Sequence, residues 1–154
     1  MTLASRLCRP GVSAFDGRGG LIRGGRWHEQ GHLVVYAAAS EALAVLEVLV
    51  HLSSVADIPV YKCVKASIPD DLIMGVREAG GLPEDWNTAG SGGAKRLGTR
   101  WLTDRRSAVL SVPSVVVPRE FNYVINPAHP EFGRIHVSQP MDFVFDVRLR
   151  KQLT

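Results

Sequence analysis

One carboxylate in this chain sits where carboxylates are uncommon. The run Glu41-Ala-Leu-Ala-Val-Leu-Glu47-Val-Leu-Val-His51 reads as a helix, and Glu47 is the only ionisable residue in its interior. At helical spacing Glu47 falls beside Leu43 and Val50, on the edge of the apolar face. Withdrawing a carboxylate from water is costly unless it is paired or works on a ligand. Glu47 is therefore either a rim charge reaching water or an arginine, or a group with work to do on a ligand. Arg26 is a second candidate. In Gly24-Gly25-Arg26-Trp27 two glycines let the backbone close around a ligand, and the guanidinium offers a planar donor fork suited to phosphate oxygens. The alternative is an ordinary turn with a surface arginine beside a packed Trp. Tyr36 lies in an apolar run, as a packing residue or as a stacking platform for a flat heterocycle. Ser114 and Asn126 are small polar residues beside prolines, where capping a turn accounts for both. Ser114 lacks a Gly-x-Ser-x-Gly setting, which argues against a hydrolase nucleophile elbow.

These residues need elements to hold them. Residues 17–25 are rich in Gly and Arg and read as a loop. Residues 33–37 form a short apolar, β-branched run, hence a strand. Ser40 is placed to cap a helix over residues 41–51, with Glu41 in its first turn. A second strand is predicted over 58–65, helical turns over 70–77, a loop over 80–93, and a short helix within 93–104. The last third is β-like, with strands over 108–117, 121–125, 134–137 and 142–148. In the last of these Phe143, Phe145 and Val147 alternate with Asp142, Val144 and Asp146. Few long helices and several non-sequential strands indicate an α+β domain.

The whole chain, residues 1–154, reads as a single domain of ordinary size. With 45% hydrophobic and 21% charged residues it has the composition of a soluble globular protein. Cys8 and Cys63 are far apart and the five histidines are scattered, so the spacing suggests no metal site. Residues 1–10 carry two arginines and no apolar stretch of signal-peptide type, and no segment is apolar for long enough to span a bilayer. The expected location is the cytoplasm. The net charge of +3 is spread along the chain without a basic stripe and interleaved aromatics, which argues against direct nucleic-acid binding. A nucleotide's phosphates or an acidic partner suit such a surface.

Taken in order, the motifs resemble the RES domain, a family named for an Arg, a Glu and a Ser. The resemblance starts at Arg6-Leu-Cys-Arg9-Pro10 and continues through Gly24-Gly25-Arg26-Trp27, Val34-Val35-Tyr36-Ala37 and Ala42-Leu43-Ala44-Val45-Leu46-Glu47. It ends with Val112-Pro113-Ser114 and Asn122-Tyr123-Val124-Ile125-Asn126-Pro127-Ala128-His129-Pro130, so it spans about Arg6 to Val137. His28 departs from the pattern, in which a small polar residue such as Asn is common.

The resemblance implies an ADP-ribosyltransferase-like fold, with a split β-sheet and a nucleotide cleft between its halves. It implies the toxin of a bacterial toxin–antitoxin pair, covered at the cleft by a small helical Xre-type antitoxin. The implied chemistry is cleavage of the nicotinamide–ribose bond of NAD by water or inorganic phosphate. NAD is then a substrate, and no cofactor or metal is required. Some members instead transfer ADP-ribose to a protein. In this frame Glu47 stabilises the ribosyl cation, Tyr36 stacks on or orients the nicotinamide, and Arg26 holds the pyrophosphate or attacking phosphate. Ser114 supplies a hydroxyl to the substrate, and Asn126 is a further substrate contact. A protein-modifying transferase is the alternative, and a non-catalytic or RNA-directed binding module is a third reading. The sequence is compatible with a monomer or a homodimer.

Overall fold

The computed structural model describes residues 1–52 and 60–150. Its centre is an eight-stranded mixed sheet. The strands are β1 (Thr2–Cys8), β2 (Val35–Ala38), β3 (Tyr61–Ile68), β4 (Ile73–Gly75), β5 (Val109–Pro113), β6 (Phe121–Ile125), β7 (His136–Val137) and β8 (Met141–Phe143). They lie in the order β4-β5-β6-β2-β1-β3-β7, with β8 also paired to β3. The β4–β5 pair is parallel and every other pair antiparallel. Around the sheet are α1 (Gly19–Ile22), α2 (Glu41–Leu49), α3 (Val76–Ala79), α4 (Gly92–Asp104) and α5 (Val147–Arg150). This is the α+β, ADP-ribosyltransferase-like architecture that the sequence led us to expect.

The sheet is joined unevenly. β1 runs beside β3 through seven registered pairs, Thr2↔Ile68 to Cys8↔Lys62, but meets β2 at Ser5↔Ala38 alone. Near the place where β1 and β2 part, the guanidinium of Arg6 donates to the carbonyl of Tyr36 at 2.7 Å. The sheet is thus split between a β4-β5-β6-β2 half and a β1-β3 half.

Side-chain alternation sends one set of strand residues to each face. On one face Ala4, Val35, Ala37, Val64, Ala66, Val109 and Ile125 form a core with Phe15, Leu72 and Ile135. The other face carries two separate clusters. Leu110, Val112 and Val124 pack under Trp27, Trp101 and Leu102. Leu7, Ala38, Tyr61 and Cys63 pack under Leu43 and Ala44 of α2, together with Phe145. The candidate site lies where these two clusters meet.

Several expectations are corrected in detail. The strand expected at 33–37 is Val35–Ala38, and the helix expected at 41–51 stops at Leu49. Ser40 caps that helix as anticipated, its hydroxyl accepting from the Leu43 N–H at 3.1 Å. The strand expected at 58–65 is Tyr61–Ile68; residues 58 and 59 lie outside the described residues. The strand expected at 108–117 is Val109–Pro113, and that at 134–137 is only His136–Val137. The strand expected at 142–148 ends at Phe143. Phe145 turns inward and meets Tyr61 and Phe143 edge-on, at centroid distances of 5.3 and 5.1 Å. Asp146 then accepts from the Arg148 N–H at 2.8 Å, satisfying a free donor where α5 begins. Strand β1 was not anticipated at all.

Candidate active site

Glu47 projects from α2 onto the sheet face between the two clusters and is half-buried. Its Oε1 accepts two hydrogen bonds, from the Ser114 hydroxyl at 2.8 Å and from Asn122 Nδ2 at 2.7 Å. Ser114 is completely buried just after β5. Its Oγ also accepts from the backbone N–H groups of Val116 and Val117, each at 3.1 Å. With those donors on its lone pairs, the hydroxyl hydrogen is directed at Glu47. The carboxylate is therefore aimed by a serine that is itself fixed by the backbone. Its second oxygen, Oε2, has no hydrogen-bond partner among the described residues and is left for a ligand.

Asn122 is a site residue that the sequence reading did not single out. It faces Ala38 on β2 and Val112 on β5, so it belongs to the face that carries Glu47. Its Oδ1 is buried and has no partner among the described residues. A buried acceptor left open is expensive, and a donor from a bound ligand would satisfy it. The available signal was a polar side chain sharing a strand face with Val124.

Tyr36 lies opposite Val124 and hence diagonal to Asn122, a spacing of about 7–8 Å between neighbouring strands. Its hydroxyl is 2.7 Å from His28 Nδ1 and accepts from the Trp27 N–H at 3.2 Å. Burial raises the Tyr36 pKa above its ordinary value, against smaller lowering effects from the Trp27 N–H and the Arg26 charge. The hydroxyl thus stays protonated.

The turn Gly25-Arg26-Trp27-His28 closes on itself through Gly25 N–H to the His28 carbonyl at 3.0 Å. It is held from outside by the Lys95 ammonium on the Gly25 carbonyl. Arg26, at its tip, is half-buried and donates from Nη1 to the carbonyls of Trp86 and Thr88, at 2.9 and 2.7 Å. Its remaining N–H groups have no hydrogen-bond partner among the described residues, so part of the donor fork is open.

Asn126 stands apart from this group. It follows β6 at the end opposite Asn122, four residues along, or roughly 13 Å of extended chain. Its Oδ1 accepts from the Ala128 N–H at 3.0 Å and its Nδ2 donates to the Leu102 carbonyl at 3.4 Å. That is the turn-capping role its sequence context allows. It lines a separate depression with His32, Leu33, Leu102 and Arg105. Cys8 and Cys63 are buried free thiols. Among the described residues, no three His, Cys, Asp or Glu side chains are grouped so as to hold a metal ion.

A model of the RES domain matches residues 3–146. The chain belongs to the RES domain family. Its relatives include the Prs ADP-ribosylating toxin of Sphingobium sp. (strain YBL2), 40% identical over 139 residues, covering 88% of this chain and 86% of that one. Toxin Res of Pseudomonas putida is 39% identical, over 90% of this chain and 96% of its own length. Toxin Res of Photorhabdus laumondii is 38% identical, over 90% of each. Among solved structures, the M. tuberculosis MbcT–MbcA toxin–antitoxin complex contains a chain matching this RES domain with a TM-score of 0.77. That match has 19% identity and covers 99% of this chain and 88% of that one, a likeness of fold. No helix among the described residues is long and apolar enough to cross a membrane.

Proposed function

We propose that this RES domain is the toxin of a toxin–antitoxin pair, and that it cleaves the nicotinamide–ribose bond of NAD. The observation that carries the reading is the Glu47 carboxylate, fixed by Ser114 and Asn122 on the sheet face that also carries Tyr36. Breaking the bond sends its electron pair to the ring nitrogen, which neutralises the pyridinium and leaves positive charge on the ribose. A preorganised carboxylate stabilises that charge, as in glycoside hydrolysis. Water then adds to the ribosyl carbon and releases a proton, giving ADP-ribose; inorganic phosphate in its place gives the ribosyl phosphate. The open Asn122 Oδ1 suits a ribose hydroxyl or the carboxamide N–H, and the free part of the Arg26 fork suits phosphate oxygens.

The toxin names of the relatives, at 38–40% identity over most of the chain, support the biological role. The expected partner is a small antitoxin, in the cytoplasm, seated across the Arg26–Glu47 region. A second reading, transfer of ADP-ribose to a protein, is favoured by the name of the Sphingobium relative, an ADP-ribosylating toxin. Both share the bond-breaking step and differ in acceptor. Identifying the products from labelled NAD decides between them. ADP-ribose, or its phosphate ester when phosphate is supplied, supports the first; label recovered only on protein from a cell extract supports the second. Expression of the chain alone should arrest bacterial growth with a fall in NAD. Harmless expression of the folded protein with NAD levels intact would count against the toxin role.

Arg26→Ala should weaken NAD or phosphate binding. Truncating a buried charged hydrogen-bond partner costs about 2–5 kcal/mol. Arg26 is half-buried, so the lower end applies, about a thirtyfold rise in KM. Lys should restore only part of it, since it lacks the planar fork. An unchanged KM would return Arg26 to a structural role on the Trp86 and Thr88 carbonyls.

A further inference from the structure

His28 is a buried titratable residue to which the reaction above gives no task; only 3% of its surface is exposed. Both ring nitrogens are engaged. Nε2 lies 3.0 Å from the carbonyl oxygen of Arg23, and Nδ1 lies 2.7 Å from the Tyr36 hydroxyl. A carbonyl can only accept, so Nε2 carries the hydrogen. Burial pushes the His28 pKa down, with smaller lowering effects from the Lys95 and His32 charges. The Arg23 carbonyl and, less strongly, Gly20 act in the raising direction, and the net shift favours the neutral ring. Nδ1 is then a bare acceptor. On its other side the Tyr36 oxygen receives the Trp27 N–H, which leaves the hydroxyl hydrogen one direction to point, at Nδ1. The backbone closes over this pair. A Cβ on Gly25 would lie 2.7 Å from the Tyr36 oxygen, 2.9 Å from His28 Cε1 and 3.0 Å from Nδ1, too close for any side chain.

We infer that His28 is a positioning residue that accepts the Tyr36 hydroxyl proton, so that Tyr36 meets the substrate with its ring and not with its O–H. This rests on the reading that Tyr36 contacts the nicotinamide. It assigns Tyr36 no acid or hydrogen-bonding role in the reaction, and it makes the angle of the ring depend on His28. The two nitrogens can be separated by substitution. Asn places its side-chain oxygen where Nδ1 stands but does not reach the Arg23 carbonyl. Gln reaches toward the Arg23 carbonyl but has no acceptor at the Nδ1 position.

The test begins without NAD. The nitrogen-15 spectrum of the wild-type protein should show His28 neutral with Nε2 protonated, beside a slowly exchanging Tyr36 hydroxyl proton. His28→Asn should keep that hydroxyl resonance and His28→Gln should lose it, whatever each does to the thermal midpoint. In nicotinamide release, His28→Asn should keep most of kcat. His28→Gln should lose up to about a hundredfold, the scale of a small misplacement of a substrate-orienting group. In a Tyr36→Phe background, where the bond is already absent, His28→Gln should add no further loss. A charged or Nδ1-protonated His28, or equal effects of Asn and Gln on both readouts, would overturn the inference. So would a Gln effect that persists undiminished beside Tyr36→Phe. If the tautomer and the hydroxyl proton are as expected but wild-type protein releases no nicotinamide, the pairing stands and the NAD reading falls.

Discussion

Glu47→Gln should lower nicotinamide release by a factor on the order of 10²–10³ while leaving the protein folded. The amide has nearly the shape of the carboxylate, and its oxygen can still accept from the Ser114 hydroxyl and Asn122 Nδ2. What it loses is the negative charge. A neutral dipole stabilises a ribosyl cation far less than a charge that is already oriented when the substrate arrives. Replacing a half-buried charge with a neutral isostere does not by itself harm stability, because the desolvation cost disappears with the charge. Turnover and thermal midpoint measured on one preparation therefore separate the roles. A large drop with the midpoint kept is the expected result. Normal turnover would leave Glu47 a structural partner of Ser114, and a collapsed midpoint would make the loss of activity uninformative about charge.

Gly98→Ala should destabilise the protein and disable the Arg26 turn, although helix propensity alone argues the reverse. In the interior of an exposed helix, Ala in place of Gly is worth about 1 kcal/mol of added stability. Gly98 is buried within α4, where the main chain of Trp27 lies directly against it. A Cβ there would fall 1.7 Å from the Trp27 carbonyl oxygen and 2.6 Å from its carbonyl carbon, both backbone atoms with no rotamer to relieve the clash. Either α4 or the Gly25–His28 turn must move. Overpacking of this kind costs about 1–3 kcal/mol or more. For a chain of this size that is a fall of roughly 3–10 °C in Tm. Because the turn carries both Arg26 and the His28 contact to Tyr36, activity should fall more steeply than stability, up to about a hundredfold. A raised Tm with full activity would show that Trp27 does not pack as described.

Much of this was legible in the sequence, for identifiable reasons. Glu47 stood out because an amphipathic helix rarely carries one charge inside an apolar run, and Arg26 because paired glycines mark a close backbone approach. The bonds from Ser114 and Asn122 to Glu47 join residues 67 and 75 positions apart, so no local pattern could pair them. Asn122 was hidden in a strand whose apolar residues drew the eye, and the open Oδ1 is visible only once β2, β5 and β6 are side by side. Asn126, four residues later in a similar setting, attracted notice through its proline and turned out to cap its own turn. β1 escaped because both of its faces are covered: Ala4, Ser5, Leu7 and Cys8 are all buried, which erases the period-two signal of a half-buried strand. The C-terminal alternation was genuine for Phe143 and Phe145 but could not show that Asp146 would start a helix. His28 was noticed only as a departure from the family pattern, since its partners Tyr36 and Arg23 face it through the fold of the turn.

The proposed cleavage of the nicotinamide–ribose bond rests on this RES domain's own side chains. The most direct measurement incubates the purified, folded chain with NAD, without added metal, and follows free nicotinamide with time, beside Glu47→Gln at the same concentration. Steady nicotinamide release by the wild type, nearly abolished in a Glu47→Gln variant of unchanged thermal midpoint, is the predicted result. No release by folded wild-type protein, whether water, phosphate or cell-extract protein is offered as acceptor, would contradict it, as would equal release by both.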